Sequence, residues 1–292
     1  MQNIFRDNIL SGYSSKGQNW LDHLTDLTQK LAQRWHLEDL HPVDHLSYNY
    51  ILKGTQNQKP IVLKLGIDLS LISRESKALK IIKKYGGVQI LNYDLKNGAI
   101  LMEQLHPGNT LKTFFLHREA ESIEIVCRLI EKLHQAPYPL KSSFSSLEEW
   151  FAPLEKQWLE LESYLIKGRF LKELLLKSQL TNVFLHGDIH HDNILCHNNT
   201  WHLIDPKGII GNPLYDICNF IINPLEDMQK LSHTEQIIQN RVNIFAQKLN
   251  IDSHIIFAWC FIYTLLSSCW SIEENQKIIY QQRLLKFFDC KC

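Results

Sequence analysis

The octapeptide HGDIHHDN at residues 186–193 decides how this 292-residue chain is interpreted. It follows an apolar run and sets Asp188 five positions before Asn193, which predicts a loop between two strands. Transfer of a phosphoryl group to an alcohol needs a carboxylate that accepts the hydroxyl proton, together with oxygen ligands for magnesium. Asp205, at the end of the next apolar run, supplies an anionic oxygen of the kind that Mg²⁺ prefers. We therefore predict Asp188 as the catalytic base and Asn193 and Asp205 as metal ligands.

The overall composition argues against a polyanionic partner. Lysine plus arginine and aspartate plus glutamate number 31 each, so no net field favours nucleic acid or a membrane surface. Residues 1–11 lack the apolar segment of a signal peptide, and the seven cysteines are scattered, which together favour a reduced, cytoplasmic protein. The most apolar segment, residues 255–269, is shorter than the roughly 20 residues of a spanning helix. It is therefore predicted to be a buried core helix.

Two kinds of hydrophobic periodicity divide the chain. The first part mixes helical and alternating patterns, whereas the pattern after about residue 106 is mostly helical. In chain order, the predicted elements of the first part are a helix over 20–35, strands over 45–52 and 60–65, a helix over 69–84, and strands over 88–93 and 99–105. We predict an α+β fold with two lobes: a small antiparallel-sheet lobe at residues 1–105 and a larger, mainly helical lobe at residues 106–292.

Lys64 is the main candidate for binding the phosphates of a nucleotide. It stands inside an otherwise apolar strand, where a buried ammonium group is costly unless it is paired. Glu75, eleven positions later on the predicted helix, is its natural partner. In kinases a strand lysine held in this way reaches the nucleotide phosphates. The alternative is that Lys64 extends into solvent from the end of the strand.

The other nucleotide contacts are predicted from position alone. The sequence contains neither G-x-G-x-x-G nor G-x-x-x-x-G-K-[ST], and residues 44–49 stand where phosphate-binding glycines would be expected. This leaves Ser47 as a candidate phosphate contact. Residues 101–105 end the predicted sheet and enter the connector, so the segment with Glu103 and Leu105 is predicted to meet the nucleotide base. The alternative for this segment is an ordinary linker between lobes.

The chain resembles a known family in three segments, which are HGDIHHDN at 186–193, IDPKG at 204–208 and GNPLYDICNF at 211–220. They are similar to those of the aminoglycoside phosphotransferases, which have a protein-kinase-like fold, and most of all to the streptomycin and hydroxyurea phosphotransferase branch. The resemblance implies a small-molecule kinase that uses ATP or GTP with Mg²⁺, and it implies the base and the metal ligands named above. It also implies that Lys207 lies near the transferred phosphate and that Asp216 supports the catalytic loop from below.

The acceptor is predicted to be a small molecule with a hydroxyl group. The resemblance implies an aminoglycoside-like acceptor, and choline, a sugar or an amino alcohol is the alternative. His190, Glu149 and Trp150 are candidate acceptor contacts, because an acidic and aromatic stretch suits a cation. Otherwise the adjacent histidines His190 and His191 face solvent and the stretch is a solvated helix surface. Asp192, where the family commonly has a small residue or proline, either points to solvent or adds charge near the metal.

Other classes of function remain as alternatives. A non-catalytic, nucleotide-binding protein of kinase-like fold is usually marked by loss of the base, the lysine or a metal ligand, and all of these are present. A dinuclear metallophosphoesterase needs further metal ligands of the G-N-H-E type, which the sequence lacks. The missing glycine-rich loop and the missing A-P-E segment argue against a protein kinase.

Overall fold

The chain divides into two compact units. The structure, a computed structural model, describes residues 2–44, 46–138, 144–178 and 180–292. Unit 1 comprises Met1–Lys83 and Gly87–Gly108, and unit 2 comprises Lys84–Gly86 and Asn109–Cys292. Unit 1 carries the larger sheet, and unit 2 carries most of the helices.

Unit 1 combines a five-stranded antiparallel sheet with three helices. In chain order its elements are α1 (Gln2–Asp22), α2 (Leu24–Trp35), β1 (Leu37–Pro42), β2 (Tyr50–Gln56), β3 (Lys59–Leu65), α3 (Leu69–Ile82), β4 (Ile90–Asp94) and β5 (Ala99–Glu103). The strands lie in the order β1-β2-β3-β5-β4. The first two helices cover one face of this sheet, since Leu31 and Trp35 lie in the same buried cluster as Ile61 and Leu63.

The β2–β3 hairpin explains why Lys64 is buried. Its turn residues, Asn57 and Gln58, have φ angles of 50° and 64°, as expected for a tight two-residue hairpin turn. Because β3 is the central strand, Lys64 has a neighbour on each side, pairing with Ile51 of β2 and Ile100 of β5. The lysine therefore stands in the middle of the sheet and not at its edge.

The strand predicted over 45–52 is wrong at its N-terminal end. Pairing begins only at Tyr50, and the first residue of the predicted strand, His45, lies outside the described residues. An unpredicted strand, β1, comes before it. The register of β1 shifts after Glu38, and Asp39 has a φ of 55°. This bulge breaks the two-residue alternation, which is why the apolar pattern of β1 does not indicate a strand.

The first helix also differs from its prediction. The helix predicted over 20–35 is interrupted at His23, where α1 ends and α2 begins. The sequence predicts only the second of these helices, because its apolar residues Leu24, Leu31 and Trp35 form a regular buried stripe. The polar sequence of α1 has little helical periodicity, and Ser14 within it is not helical (φ 47°).

Unit 2 contains the remaining helices and several short strands. They are β6 (Pro107–Thr110, across the unit boundary), α4 (Glu119–Leu133), β7 (Ser145–Ser146), α5 (Leu147–Trp150), α6 (Glu162–Leu176), β8 (Val183–Leu185), β9 (Ile194–His197), β10 (Thr200–Leu203), β11 (Ile209–Gly211), α7 (Tyr215–Ile222), α8 (Leu225–Met228), α9 (Thr234–Leu249), α10 (Ser253–Glu273) and α11 (Ile279–Asp289). Short 3-10 turns at 111–114, 152–155, 159–161 and 191–193 connect some of them.

Helix α10 forms the core of unit 2. It contacts α6, α7, α9 and α11, and its residues from Ile256 to Leu266 are buried without interruption. Among the described residues it alone is long and apolar enough to span a membrane by length and composition. Its packing inside the unit agrees with the core helix predicted over 255–269.

The short strands of unit 2 hold the loop at 186–193. Strands β7, β11 and β8 form a small sheet, in which β11 pairs antiparallel with β8. Strands β9 and β10 form a hairpin whose turn residues, Asn198 and Asn199, both have positive φ. The loop therefore leaves one small sheet at Leu185 and enters the hairpin at Ile194, so both of its ends are fixed by strand pairing.

Candidate active site

The loop at 186–193 begins with a sharp turn at Gly187. This glycine has a φ of 83°, and a Cβ atom placed on it would lie 2.6 Å from Cδ1 of the buried Ile209. After this turn Asp188 follows on an irregular segment, and residues 191–193 form one 3-10 turn before β9. The chain thus bends at Gly187, where a side chain would not fit, and the bend brings Asp188 out of the small sheet.

Asp216 supports this turn from below. Its carboxylate accepts hydrogen bonds from the backbone N–H groups of His186 (3.1 Å) and Gly187 (2.8 Å), and Nε2 of His134 lies 3.1 Å from it. Asp216 is 1% exposed and stands in the first turn of α7. A buried carboxylate with several donors fixes the backbone that it binds. This is the supporting contact that the resemblance implies for Asp216.

His186 lies under the loop in one defined tautomer. Its Nδ1 accepts from the backbone N–H of Asp188 at 3.2 Å, and its Nε2 donates to the carbonyl of Ile204 at 2.8 Å. Because a backbone N–H can only donate, the proton of the neutral ring must be on Nε2. Burial lowers the pKa of His186, which favours this neutral form. The histidine is therefore a structural support of the loop.

The carboxylate of Asp188 is held at one oxygen by a hydrogen bond and has a lysine beside the other. Nδ2 of Asn219 donates to Oδ1 at 2.7 Å, and Nζ of Lys207 lies 3.3 Å from Oδ2. The side chain remains 24% exposed. A carboxylate in this setting has a fixed orientation and an accessible oxygen, which are the properties that a general base needs. Asn219 is not among the predicted site residues.

The two predicted metal ligands stand on paired strand ends. The backbone N–H of Ile204 donates to the carbonyl of Asn193 at 3.0 Å, which brings Asp205 next to the end of the loop. Asp205 has a φ of 58°, so the chain turns there, and Lys207 N then donates to the carbonyl of His186 at 2.8 Å. These backbone bonds fix the chain on both sides of Asp205.

The side chain of Asn193 is oriented by the loop itself. Its Nδ2 donates to the backbone carbonyl of Asp188 at 3.0 Å. Since a carbonyl only accepts, the nitrogen end of the amide must face it, which turns Oδ1 away as the end that a cation can bind. In the described part of the chain, no group of three or more His, Cys, Asp or Glu side chains is placed to hold a metal ion. One amide and one carboxylate instead fit Mg²⁺, which keeps several waters and binds phosphate oxygens.

His191 and Asp192, which follow closely after Asp188, face in opposite directions. The expectation that His191 faces solvent is wrong: its ring is buried, stacked on Phe220 with centroids 4.1 Å apart. Burial lowers the pKa of His191 well below its usual range. Asp192 on the same 3-10 turn has a half-exposed carboxylate, so of its two interpretations the structure favours the solvent-facing one.

The predicted acceptor contacts have unlike surroundings. His190 lies beside the base, with Nε2 4.0 Å from Oδ1 of Asp188. Trp150 donates its indole N–H to the hydroxyl of Tyr215 at 2.9 Å and packs edge-on against Trp270. Glu149, in contrast, is used as a helix cap: its carboxylate accepts from the backbone N–H at the start of α5, in a capping box. Its position is therefore already explained by local structure.

In unit 1, Lys64 and Glu75 form the predicted ion pair. Nζ and Oε1 lie 2.8 Å apart, and the side chains are 3% and 12% exposed. The alternative in which Lys64 extends into solvent is wrong. Glu75 is carried by α3, whose first turn is capped by the side chain of Asp68. The cap and the central strand together fix the two ends of the pair.

The other candidates of unit 1 lie at the edges of its sheet. Ser47 is exposed in the loop between β1 and β2, and its carbonyl accepts from the side chain of Asn8 at 3.2 Å. Glu103 bonds Gln89 twice, because its carboxylate accepts from the backbone N–H and its own N–H donates to the carbonyl. Leu105 is 5% exposed. The backbone N–H and one carboxylate oxygen of Glu103 are therefore already occupied.

A protein-kinase-like fold with an acid-and-amide loop of this kind defines a class of phosphotransferases that act on hydroxyl groups. Within that class, residues 34–275 match the family described as aminoglycoside/hydroxyurea antibiotic resistance kinase, and the chain belongs to this family. It is similar to streptomycin 3''-kinase of Klebsiella pneumoniae, with 25% identity over 78% of this chain and 85% of that protein. It is also similar to streptomycin 6-kinase of Streptomyces griseus, with 20% identity over 92% of this chain and 91% of that protein.

A solved structure shares the fold at lower identity. It is a thermostable mutant of the aminoglycoside phosphotransferase APH(4)-Ia, in ternary complex with AMP-PNP and hygromycin B. The match has a TM-score of 0.67 and 12% identity, and it covers 91% of this chain and 98% of the other. The predicted family and fold are thus confirmed, and the chain is a small-molecule kinase.

Proposed function

We propose that this protein transfers the γ-phosphate of ATP to a hydroxyl group of an aminoglycoside-like acceptor. The observation that carries the proposal is the setting of Asp188, whose carboxylate is held by Asn219 on one oxygen and lies beside Lys207 on the other. A phosphotransferase needs one carboxylate in a fixed orientation at the attacking hydroxyl, and little other covalent chemistry from the protein. A solvated turn aspartate would not be oriented in this way by a buried side-chain amide.

Asp188 acts as the base in this proposal. One of its oxygens accepts a hydrogen bond from the acceptor hydroxyl and takes the proton as the new bond to phosphorus forms. Lys207 lies close enough to that oxygen to hold positive charge next to the incoming phosphoryl group as well. His186 and Asp216 take no part in the chemistry, and they keep the loop in place.

The nucleotide and the metal are assigned to the remaining candidates. Asn193 and Asp205 would hold Mg²⁺, which neutralises charge on the phosphate oxygens. Lys64, oriented by Glu75, binds the α- and β-phosphates, as paired lysines do in kinases. Ser47 contacts the phosphates and the segment with Glu103 and Leu105 contacts the base. These contacts suit ATP or GTP, and the AMP-PNP complex of the solved relative favours ATP.

The acceptor class rests on the relatives. Two of them, at 25% and 20% identity, are kinases for streptomycin, and the family name joins aminoglycosides with hydroxyurea. We therefore propose a cationic, hydroxyl-rich small molecule, bound near His190 and Trp150. Glu149 is the weakest of the proposed acceptor contacts, because its carboxylate already caps α5. A cytoplasmic location follows from the same assignment, since ATP is the donor.

An ATP-consumption assay with Mg²⁺ tests the proposal. Streptomycin, other aminoglycosides, hydroxyurea, choline and simple sugars are compared as acceptors, with wild type beside Asp188→Ala. The exposed Asp26→Ala, on the surface of α2, is the matched control. We expect turnover that depends on an aminoglycoside, that Asp188→Ala reduces at least about 1,000-fold and that Asp26→Ala retains. Acceptor-dependent turnover by Asp188→Ala would refute the base, and turnover only with a different acceptor would refute the aminoglycoside class.

A further inference from the structure

Two asparagines of helix α7 and its C-terminal cap extend from the base into the core of unit 2. Asn219 donates from Nδ2 to Oδ1 of Asp188 at 2.7 Å. One helical turn later, Asn223 donates from its own Nδ2 to Oδ1 of Asn219 at 2.6 Å and to the carbonyl of Asn219 at 3.0 Å. Behind it, the backbone N–H of Leu225 donates to Oδ1 of Asn223 at 3.0 Å. Four groups thus form one continuous line of hydrogen bonds that ends on the base.

The direction of this line is set by its far end. An asparagine amide has a donor end and an acceptor end of nearly equal shape, so either orientation fits sterically. The backbone N–H of Leu225 can only donate, which fixes Oδ1 of Asn223 towards it and Nδ2 towards Asn219. Asn219 must then accept with Oδ1, and its Nδ2 must face Asp188. Each amide is oriented by the one behind it.

The far end is itself anchored by a buried arginine. Arg241 of α9 is 1% exposed, and its guanidinium donates to the carbonyls of Phe220 (3.1 Å) and Ile221 (2.9 Å) and to that of Asn223. These are carbonyls of the last turn of α7, which have no partner within the helix. Glu119 pairs with the guanidinium through two bonds, of 2.7 and 3.0 Å. The C-terminal end of α7, and with it Asn223, is therefore held rigidly.

We propose that Asn219 and Asn223 form an amide relay that positions Asp188 for catalysis. The relay rests on the proposed function, because it assumes that Asp188 is the base. By occupying Oδ1, Asn219 leaves Oδ2 as the oxygen that accepts the hydroxyl proton, on the side where Lys207 lies. Asn219 acts on the reaction only by orienting the base, and Asn223 acts only by orienting Asn219.

The test uses two substitutions of Asn223, each made with and without the side chain of Asn219. Asn223→Ala leaves the amide of Asn219 unrestrained, so part of the molecules keep the working orientation. Asn223→Asp is almost the same size, but it presents an acceptor to Oδ1 of Asn219 and so favours turning the oxygen of that amide towards Asp188. It also opposes the backbone carbonyl of Asn219, a repulsion that persists when Asn219 is alanine and is therefore measured separately by the double variant. The nearby guanidinium of Arg241 stabilises the new carboxylate. Loss of packing alone would make the alanine variant the worse of the two.

We expect Asn219→Ala to lower kcat about 10- to 100-fold with KM for ATP within about twofold of wild type. Asn223→Asp is expected to lower kcat by a similar factor, and Asn223→Ala by only a few-fold. When Asn219 is already alanine, Asn223→Asp should lower kcat by no more than about twofold further, because its route to the base is gone. Asn243→Asp, on the exposed surface of α9, is the matched control and should behave as wild type.

A second readout needs no acceptor. The side-chain amide signals of Asn219 in ¹⁵N-labelled protein, assigned by their loss in Asn219→Ala, should shift in Asn223→Asp and in Asp188→Ala. The relay is overturned if neither variant shifts these signals, or if Asn223→Ala lowers kcat more than Asn223→Asp does. It is also overturned if Asn223→Asp lowers kcat by the same factor whether residue 219 is asparagine or alanine. If the asparagine variants keep the kcat of wild type while Asp188→Ala is inactive, the relay is rejected and the proposed function stands. An active Asp188→Ala rejects the base, and with it the proposed function.

Discussion

At the scale of single residues, Lys207 is the side chain whose proposed role is easiest to separate from stability. Its Nζ lies 3.3 Å from Oδ2 of Asp188, the oxygen that Asn219 leaves open, while the lysine side chain is 45% exposed. In the proposed mechanism, an accessible ammonium in this position is also within reach of a phosphoryl oxygen on which negative charge develops.

We expect Lys207→Ala to lower kcat/KM about 10- to 100-fold and to leave thermal stability nearly unchanged, because the side chain is largely solvated. Steady-state kinetics and a thermal melt measure the two effects. Lys230→Ala, at another exposed lysine of unit 2, is the control. If Lys207→Ala keeps its turnover within a few-fold of wild type, the role given to this lysine is wrong.

The ion pair of unit 1 leads to a prediction about stability. Lys64 is 3% exposed, so Glu75→Ala takes away the carboxylate that faces a buried ammonium, a change that typically costs about 3–5 kcal/mol. Lys64→Met replaces the charged group by an apolar one of similar length and leaves Glu75, which is more exposed. We therefore expect Glu75→Ala to be the less stable variant in urea unfolding, although Lys64→Met also loses affinity for Mg·AMP-PNP. Equal loss of stability in both variants would contradict this account of the pair.

The residue pattern predicted part of the site and missed the rest for a physical reason. Asp188 and Asn193 are close in sequence, and Lys64 is an unusual residue for its strand, so local pattern was enough to find them. Asn219 lies 31 positions after Asp188, and no spacing rule connects them. A signal was nevertheless present, because Asp216 and Asn219 are polar residues three apart in an otherwise apolar helix and so share one face of it.

At the scale of secondary-structure elements, the β8-to-β9 connection depends on one backbone conformation. Gly187 has a φ of 83°, and a Cβ atom placed on it would lie 2.6 Å from Cδ1 of the buried Ile209 and 3.2 Å from the Cβ of Lys207. Both neighbours follow Asp205, the second candidate metal ligand, by a few residues. A side chain at position 187 would therefore disturb two parts of the candidate site at the same time.

We expect Gly187→Ala to lower the free energy of unfolding by about 1–3 kcal/mol and to reduce kcat, because alanine is strained at this φ and its Cβ meets Ile209 at 2.6 Å. Gly12→Ala in α1 is the control for the same substitution, since a Cβ there meets nothing within 4 Å. That variant should gain about 0.5–1 kcal/mol of stability. Urea unfolding of the two variants measures the difference, and stabilisation by Gly187→Ala would show that the turn is not strained.

The elements that the sequence predicted best are those with regular burial. Strand β3 and helix α3 have one clear apolar pattern each, and their bounds lie close to the predicted 60–65 and 69–84. Strand β1 was missed because its bulge at Asp39 breaks the alternation. His191 was misjudged for a related reason: one 3-10 turn places its ring against Phe220, and sequence spacing on a loop does not show this.

At the scale of the whole molecule, the loop at 186–193 makes the free energy of unfolding depend on pH through two buried histidines. His186 and His191 are both fully buried, and burial lowers the pKa of each below its usual range. Among the described residues, the ring nitrogens of His191 have no hydrogen-bond partner, whereas those of His186 are both bonded. Replacing His191 by an apolar aromatic residue therefore breaks no hydrogen bond seen among the described residues, whereas replacing His186 breaks two.

We expect the free energy of unfolding to fall as the pH falls through about 6.5, where a histidine of the unfolded chain takes up a proton. The native rings stay neutral because their pKa values are lowered, so the unfolded state binds more protons and acid favours it. Each ring contributes a slope of up to about 1.4 kcal/mol per pH unit below that point. His191→Phe keeps an aromatic ring against Phe220 and removes one titrating group. Its stability should therefore match or exceed that of wild type, and the advantage should grow towards about pH 5.

Urea unfolding of metal-free protein at several values between about pH 7.5 and pH 5 measures this slope. His117→Phe, which removes an exposed histidine of the same unit, is the control. Its free energy of unfolding should differ from that of wild type by the same amount at every pH. A slope in His191→Phe equal to that of wild type would mean that the ring of His191 is protonated in the native protein. In that case the ring needs an acceptor that the packing against Phe220 does not provide, and the loop would have to rearrange on acidification.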